Sequence, residues 1–292
     1  MDKNKVEFAG WIFFTKVVHI IGVKRIPILA KILAKIFFYF IPIRKNTVIS
    51  NLTKAFPEKS KREIKKIAYN NFVSMGITFM EIMAFQKMDE EQVISLSDIN
   101  NIELAQSKVN TGKGSILLTA HLGNWELGAL TMGLVLEKRI NVLVKKQRNK
   151  LVADWMSEIR ERFNNKEIPL GASVRELYKT LISGGVVGIV GDQRGKKEDG
   201  IIVQFFNQPT VTFQGFAALA IKNRVPIVVV LNIRKSSGKY VFDIEEIDYE
   251  NLPESLPDQI VELNQRYMTI LENKIREAPE QWLWMHNIWK YQ

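Results

Sequence analysis

His121 and Glu126 are the two residues whose types and spacing best suggest catalysis, and they occur in the run Thr-Ala-His-Leu-Gly-Asn-Trp-Glu. The apolar residues 115–119 predict a buried strand that ends just before His121, and a helix is expected to begin just beyond it. In open α/β sheets, ligands bind beyond the carboxyl ends of the strands. Glu126 would then lie about one turn into the helix, where its carboxylate could reach back to the imidazole.

This pair is suited to proton transfer. An imidazole, with an unperturbed pKa of about 6.5, can remove a proton from a hydroxyl group at neutral pH. A carboxylate on one ring nitrogen fixes the tautomer and leaves the other nitrogen to accept the proton. A structural role is the alternative, because the helix dipole favours a glutamate in the first turn in any case.

The composition excludes several kinds of site. The 292 residues include no cysteine, which rules out disulfides, thiolate metal sites and a cysteine acyl intermediate. The three histidines (His19, His121 and His286) show no ligand spacing, so no metal is expected. The net charge of +10 favours a polyanionic partner: nucleic acid, an anionic membrane surface, or an acidic or phosphorylated substrate. No nucleic acid is expected, because no recognised binding motif is present.

An apolar and aromatic stretch, residues 8–43, is interrupted by basic residues. A spanning helix needs about 20 mostly apolar residues, so the pattern favours helices that lie on the membrane surface, the second beginning near Pro27. A pair of ordinary core helices and a single tilted span are the alternatives. We assign residues 1–45 to N-terminal membrane-associating helices and residues 46–292 to an α/β domain.

Strand and helix patterns alternate along the second half of the chain. The predicted strands are 115–119, 141–144, 186–190 and 226–231, with 240–247 as an antiparallel hairpin partner of the last. The predicted helices are 61–85, 124–137, 149–163, 172–183, 213–223 and 258–276. The alternation predicts an α/β fold with a mostly parallel central sheet and helices on both faces.

The motif His-x4-Glu, within His-Leu-Gly-Asn-Trp-Glu, resembles the lysophospholipid acyltransferase superfamily. It more closely resembles the bacterial lipid A biosynthesis (late, lauroyl/myristoyl) acyltransferases. Three further blocks carry this resemblance in the same order along the chain: Asn51-Leu52-x2-Ala55-Phe56-Pro57; Asp192-Gln193 with Phe205-Phe206, Thr212 and Gly215; and 279–286, Pro-Glu-Gln-Trp-Leu-Trp-Met-His. Several linked blocks are more specific than one short motif, and together they cover residues 10–290.

The resemblance implies an O-acyltransferase that takes a fatty acyl chain from an acyl thioester, either acyl carrier protein or coenzyme A, without another cofactor. It implies a membrane lipid acceptor, a hydroxyl group of a lipid A-type glycolipid, at the cytoplasmic face of the inner membrane. The alternatives are a glycerophospholipid or lysophospholipid acyltransferase and a non-catalytic basic membrane-binding protein. An inactive relative would be expected to lose His121 or Glu126, and both are present.

We predict His121 as the general base and Glu126 as the residue that orients it. The predicted substrate-binding residues are Asn124, Lys145, Arg160, Asp192, Gln193 and Arg194. Four of these have an alternative role: Asn124 as a helix cap, Arg160 as a solvated helix charge paired with a nearby glutamate, and Asp192 with Gln193 as structural residues. Arg194, with Lys196 and Lys197, would contact phosphate or form a plain surface loop. His286, among tryptophans, is not expected to be catalytic.

The chain departs from the family pattern at three places. Lys145 stands where the family usually has arginine, Asn207 where it has glycine, and Asn287 and Ile288 where it has two arginines. Lysine lacks the planar fork with which arginine binds phosphate in a bidentate manner. These differences bear on the acceptor more than on the reaction.

Overall fold

The computed structural model describes residues 2–41, 43–145, 147–170, 173–196, 198 and 200–290. Its helices are α1 (Lys3–Ile21), α2 (Ile26–Tyr39), α3 (Lys45–Ala55), α4 (Lys61–Ala84), α5 (Glu90–Ser95), α6 (Ile102–Val109), α7 (Trp125–Val135), α8 (Lys150–Arg162), α9 (Ser173–Ile182), α10 (Gly215–Asn223) and α11 (Leu256–Glu277). Its strands are β1 (Ser97–Ile99), β2 (Ser115–Thr119), β3 (Ile140–Val144), β4 (Asn165–Pro169), β5 (Val186–Val190), β6 (Gly200–Phe205), β7 (Gln208–Phe213), β8 (Ile227–Arg234) and β9 (Tyr240–Ile247).

Seven strands form one central sheet in the order β1-β9-β8-β2-β5-β3-β4. The five strands from β8 to β4 run parallel to one another. The β8–β9 pair is antiparallel, and β1 is parallel to β9. The carboxyl ends of β2, β5 and β3 therefore meet at one edge of the sheet, which is where an α/β fold of this kind places its ligands.

Helices cover both faces of this sheet, and the strands divide their side chains between the two. Along β2, Ile116 and Leu118 pack into one apolar cluster with α9, α10 and α11, whereas Leu117 packs into the other with α5 to α8. Successive residues of a strand point to opposite faces, so a strand buried on both sides must be apolar throughout. The predicted α/β class, with a mostly parallel sheet between helices, is confirmed.

The predicted strands and helices recur in the structure within a few residues of their expected ends. The capping box of α4 is formed by Ser60 and Glu63, as their spacing predicts. Two strands of the sheet were not predicted. β1 is only three residues long, and β4 carries the polar side chains of an edge strand, including Lys166 and Glu167, so neither has an apolar run.

The hairpin β6–β7 was also not predicted and forms a separate two-stranded sheet. Its turn residues Phe206 and Asn207 have φ angles of 52° and 56°. Such left-handed conformations are open to glycine and tolerated by asparagine. This explains how Asn207 can stand where the family usually has glycine.

The N-terminal helices pack on α4. The α2 residues Ile26, Ala30, Ala34 and Phe38, spaced four apart, are buried, and Pro27 lies in the first turn of this helix, as expected. Across the described residues, none of the helices combines the length and apolar character needed to cross a bilayer. The membrane association of residues 1–45, and their division from 46–292 as a domain, stay predictions.

Candidate active site

The register of the sheet brings His121 and Asp192 together. β2 and β5 are neighbouring parallel strands in which Thr119 is paired with Val190. His121 and Asp192 each follow two residues beyond that pair, so they leave the sheet side by side at its carboxyl edge. The two residues are 71 positions apart in the chain, so the sequence does not reveal this proximity; the adjacency of β2 and β5 creates it.

The Asp192 carboxylate holds both the ring and the backbone of His121. Its Oδ1 atom lies 2.8 Å from Nδ1 of the imidazole, and its Oδ2 atom accepts the His121 backbone N–H at 2.9 Å. The indole N–H of Trp282 donates to Oδ2 at 2.7 Å. Since an ionised carboxylate only accepts hydrogen bonds, Nδ1 carries the ring proton. Nε2 is then the nitrogen that can accept a proton.

Electrostatics favour a charged pair at this position. Burial alone would lower the pKa of the His121 imidazole, but the charge and hydrogen bond of Asp192 and the charge of Glu126 together outweigh burial and raise the pKa above its usual value. Burial of Asp192 would raise its pKa, but the imidazole and the hydrogen bonds to His121 and Trp282 lower it. Asp192 is thus ionised and able to stabilise an imidazolium.

The prediction that Glu126 contacts the imidazole is corrected by the structure, in which Glu126 pairs with Arg160 instead. Glu126 lies in the first turn of α7, as predicted, but its oxygens accept from Arg160 of α8, at 2.9 Å from Nε and 2.5 Å from Nη2. Arg160 also bonds Glu167. A guanidinium binds a carboxylate with two parallel N–H groups, so Arg160 takes the carboxylate that was expected to orient His121. Asp192 has that position instead.

Arg160 is almost fully enclosed by its two carboxylate partners. Its side chain is 14% exposed, and the charges of Glu126 and Glu167 raise its pKa against the effect of burial. Of the alternative role for Arg160, the ion pairing with glutamate is present, with Glu126 and Glu167 rather than its helix neighbours as partners, but the side chain is largely buried rather than solvated. A direct contact with substrate stays a prediction.

Asn124 caps α7, which was the alternative to a substrate contact. Its side-chain oxygen accepts from the Leu127 N–H at 3.0 Å, and its amide nitrogen donates to Glu81 at 2.9 Å. The residue is fully buried. A contact with substrate would require this amide to leave both partners.

Gln193 and Trp125 border the open side of the imidazole. The Gln193 side chain is exposed, and its Nε2 atom lies 3.4 Å from Nε2 of His121. The Trp125 ring meets the His121 ring edge-on, with centroids 4.9 Å apart. Gln193 therefore lies beside the nitrogen that would accept a proton, and Trp125 packs against the same ring.

The loop after Asp192 is held by the C-terminal segment. His286 Nε2 accepts the Arg194 backbone N–H at 3.1 Å, and the Arg194 guanidinium donates to the Asn287 carbonyl at 2.5 Å. Burial lowers the pKa of His286, in keeping with this acceptor role. His286 thus has a structural contact near the site, and Arg194 is at least partly occupied by protein contacts.

Lys145 is exposed directly after β3, on the same edge of the sheet as His121. Lys196 is exposed as well, whereas Lys197 lies outside the described residues. The binding of phosphate by these cations stays a prediction. Within the described part of the chain, no group of His, Asp and Glu side chains is arranged to hold a metal ion.

Two asparagines hold the C-terminal segment that supplies Trp282, and the sequence alone did not reveal this role. The Asn71 amide donates to the carbonyls of Trp282 and Glu280 at 2.7 and 2.9 Å, and Asn51 donates to those of Trp284 and His286 at 2.9 and 2.8 Å. The first and last motif blocks of the sequence thus meet, which gives the Asn51 block a physical purpose.

The comparison with known proteins matches the chain to one family. Residues 4–291 match the family model described as bacterial lipid A biosynthesis acyltransferase. The lipid A biosynthesis lauroyltransferase of Escherichia coli (strain K12) is 25% identical over 260 residues, covering 88% of this chain and 83% of that protein. The palmitoleoyltransferase of the same organism is 24% identical over 255 residues, covering 86% and 80%. A lipid A biosynthesis acyltransferase of Shigella flexneri gives the same figures.

Proposed function

Because the chain belongs to the bacterial lipid A biosynthesis acyltransferase family, it is an O-acyltransferase, and we propose that it moves a fatty acyl chain from an acyl thioester to a hydroxyl group of a lipid A-type glycolipid. The observation that carries this proposal is the contact between His121 Nδ1 and Asp192. It leaves Nε2 at the partly exposed side of the ring, where a general base for a hydroxyl nucleophile is required.

In the proposed reaction, Nε2 of His121 takes the proton of the acceptor hydroxyl as its oxygen attacks the thioester carbonyl. The new C–O bond forms and a tetrahedral oxyanion results. The C–S bond then breaks, and the departing thiolate takes the proton from the imidazolium. Asp192 stabilises the imidazolium throughout, as in other carboxylate–histidine systems. No protein nucleophile is needed, which agrees with a chain that has no cysteine.

We assign Glu126 a second, more distant role. Its carboxylate adds to the field that favours the charged imidazole, and Arg160 holds it in place with two hydrogen bonds. Gln193 lies where the acceptor hydroxyl would approach Nε2, so it would be displaced by the substrate or donate to it. Lys145 and Arg194 stand at the same edge and are proposed to meet the acceptor's charged groups.

The donor is proposed to be acyl carrier protein or coenzyme A, since both present an acyl thioester. The site is proposed to work at the cytoplasmic face of the inner membrane. The support for membrane contact is that α2 is apolar on two sides. Beside its buried stripe it exposes Ile28, Ile32 and Ile36, at 62%, 54% and 40%. This second apolar stripe needs an apolar partner of its own, and the exposed Lys31 and Lys35 lie beside it, as on a helix at a membrane surface.

The proposed function is tested with purified protein, an acyl thioester and two acceptors. Acyl carrier protein and coenzyme A thioesters are each supplied with an under-acylated lipid A precursor or with lysophosphatidic acid. Release of free thiol gives the rate, and mass spectrometry identifies the acylated lipid. We expect acylation of the glycolipid. Acylation of lysophosphatidic acid alone would support the glycerophospholipid alternative instead.

The matched variant for this assay is His121→Ala. Loss of the general base should lower the rate by about 10²- to 10⁴-fold while the thermal transition stays near that of the wild type. A His121→Ala protein that transfers acyl chains at close to the wild-type rate would rule out the assigned mechanism.

A further inference from the structure

Glu81 is a buried carboxylate that the proposed chemistry does not use. It lies on α4 with 6% of its surface exposed. Its Oε2 atom accepts from the Asn124 amide at 2.9 Å and from the Tyr240 hydroxyl at 2.6 Å. The Arg234 guanidinium donates to the same hydroxyl and to Ser74, each at 2.9 Å. Burying a carboxylate is costly unless it is paired, so this placement needs an explanation.

The partner that links Glu81 to the active site is Asn124. An asparagine side chain has one end that donates and one that accepts, and the two ends have nearly the same shape. A carboxylate can only accept, and a backbone N–H can only donate. Glu81 and the Leu127 N–H therefore permit a single orientation of the Asn124 amide, with the nitrogen toward Glu81 and the oxygen toward Leu127.

That orientation fixes the start of α7. Asn124 is the N-cap, and the first turn that it begins contains Trp125, against the His121 ring, and Glu126, bound to Arg160. We propose that Glu81 is a positioning residue for acyl transfer, which acts through Asn124 to hold this first turn beside His121. The inference rests on the proposed function, but it concerns a residue that contacts none of the reacting groups.

The surrounding contacts make Asn124 a junction between distant elements. Its backbone N–H donates to the Asn232 side chain of β8 at 2.9 Å, and the Asn232 amide donates back to the Asn124 carbonyl at 3.2 Å. The preceding residue is held as well, because Thr78 of α4 donates to the Gly123 carbonyl at 2.8 Å. These contacts hold the backbone, whereas those of Glu81 and of the Leu127 N–H discriminate between the two ends of the Asn124 amide.

The acceptor role of Glu81 follows from the geometry of its Oε2 atom, which lies within hydrogen-bond distance of both the Tyr240 hydroxyl and the Asn124 amide nitrogen. Burial raises the pKa of Glu81 above its ordinary value, and the Arg234 charge and the hydrogen bonds from Tyr240 and Asn124 oppose this shift in part. Burial and the Glu81 charge both raise the pKa of Tyr240. The phenol therefore keeps its proton, and its O–H donates a hydrogen bond to Glu81. Arg234 thus supports Glu81 directly by its charge and indirectly through Tyr240.

The test exchanges donor and acceptor between the two positions. Asn124→Asp keeps a good N-cap but sets two acceptors against each other, so kcat should fall about 10- to 100-fold, as expected when a group near the reaction is displaced. KM for the acyl thioester should change less. Adding Glu81→Gln restores a donor, and this double variant should recover most of the lost kcat.

Glu91→Gln in the Asn124→Asp background is the matched control, because Glu91 is exposed on α5, and it should restore nothing. Hydrogen exchange of the amides of residues 125–128 gives a readout that does not depend on turnover. Exchange should be faster in Asn124→Asp than in the wild type and should slow again in the exchanged double variant.

Equal kcat in the wild type and in Asn124→Asp, or a loss that Glu81→Gln does not restore, would overturn the proposal. If Asn124→Asp does not fold, Glu81→Gln and Glu81→Met take its place. The first keeps an acceptor oxygen and the second does not, so Glu81→Met should have the lower kcat, and equal values would overturn the proposal. A wild-type protein without acyl transfer would instead refute the proposed function.

Discussion

One carboxylate holds His121 by two groups: Oδ1 of Asp192 lies 2.8 Å from Nδ1 of the ring, and Oδ2 accepts the backbone N–H of the same residue at 2.9 Å. The ring orientation and the strand end are therefore set by a single side chain. Trp282 donates to Oδ2 as well. Oδ2 thus accepts hydrogen bonds from two fixed donors, the His121 backbone N–H and the Trp282 indole, whereas Oδ1 contacts the imidazole.

This division predicts the effect of Asp192→Asn. The amide oxygen should take the place of Oδ2, because the His121 backbone N–H and the Trp282 indole N–H both donate there. The amide nitrogen then faces Nδ1 and donates to it, which moves the ring proton to Nε2. The base is blocked, and kcat should fall by roughly 10²- to 10⁴-fold.

Chemical shifts of the ring nitrogens of labelled His121, together with kcat, check this prediction. The wild type should carry the proton on Nδ1 and the variant on Nε2. A variant with the wild-type tautomer and near-normal kcat would show that Asp192 does not set the base.

The raised pKa of His121 predicts the acid limb of the rate profile. The base must be neutral before it can accept a proton, so kcat/KM should fall as the pH drops through a pKa above about 6.5, the unperturbed value. In Asp192→Asn the carboxylate that raises the pKa is gone and burial lowers it, so the limb should move to lower pH. Rates measured between pH 5 and 9 check the direction, and a limb that moves to higher pH would contradict it.

The sequence predicted where His121 lies in the fold but not which carboxylate contacts its ring. An apolar run that ends at residue 119 and a helix from about residue 124 are local patterns, and both match β2 and α7. The partner depends on strand order, which no local pattern contains. The strand that follows β2 in the sequence is β3, which ends at Val144, but the neighbour of β2 in the sheet is β5. Asp192, which follows β5, therefore meets His121.

The same reason explains why Glu126 was given the wrong partner. Five residues of separation suggested a contact with His121, but side chains on α7 also face α8, where Arg160 offers a charged fork. The guanidinium of Arg160 offers two parallel N–H donors to the Glu126 carboxylate, which an imidazole cannot do. Polar residues that fix distant backbone, such as Asn71 and Asn232, give no periodic signal and become visible only when the elements are packed.

The pairing of Arg160 with Glu126 predicts that the two residues act as a unit. Arg160→Lys keeps the charge but loses the fork, and Glu126→Gln keeps the shape but loses the charge. Each change should lower kcat by about tenfold, and the double variant should lose less than the sum of the two losses in free energy, as coupled neighbours do.

Arg148→Lys is the control for these changes, because Arg148 pairs with Glu7 at an exposed site and such pairs contribute little. Its kcat and thermal transition should stay near the wild-type values. Strict additivity of the Arg160 and Glu126 changes would contradict the unit, whatever the size of the single effects.

The exposed stripe of α2 predicts that membrane binding can be weakened without harming the fold. Replacing Ile28 and Ile32 by asparagine removes apolar surface that is already outside the core, so the thermal transition should change little. Each buried side chain of this size is worth about 1.5–3 kcal/mol, so binding to vesicles of zwitterionic and anionic lipid should fall at least tenfold. Sedimentation with vesicles measures it.

The matched control removes equally exposed apolar residues from another helix. Val174 and Ile182 of α9 are 72% and 63% exposed, and their replacement by asparagine should leave vesicle binding unchanged if α2 is the membrane-facing element. A further variant, Lys31→Gln with Lys35→Gln, should weaken binding to anionic vesicles only, because its effect is electrostatic and is screened by salt. Equal losses for the α2 and α9 variants would show that apolar exposure in general, rather than the α2 stripe, determines vesicle binding.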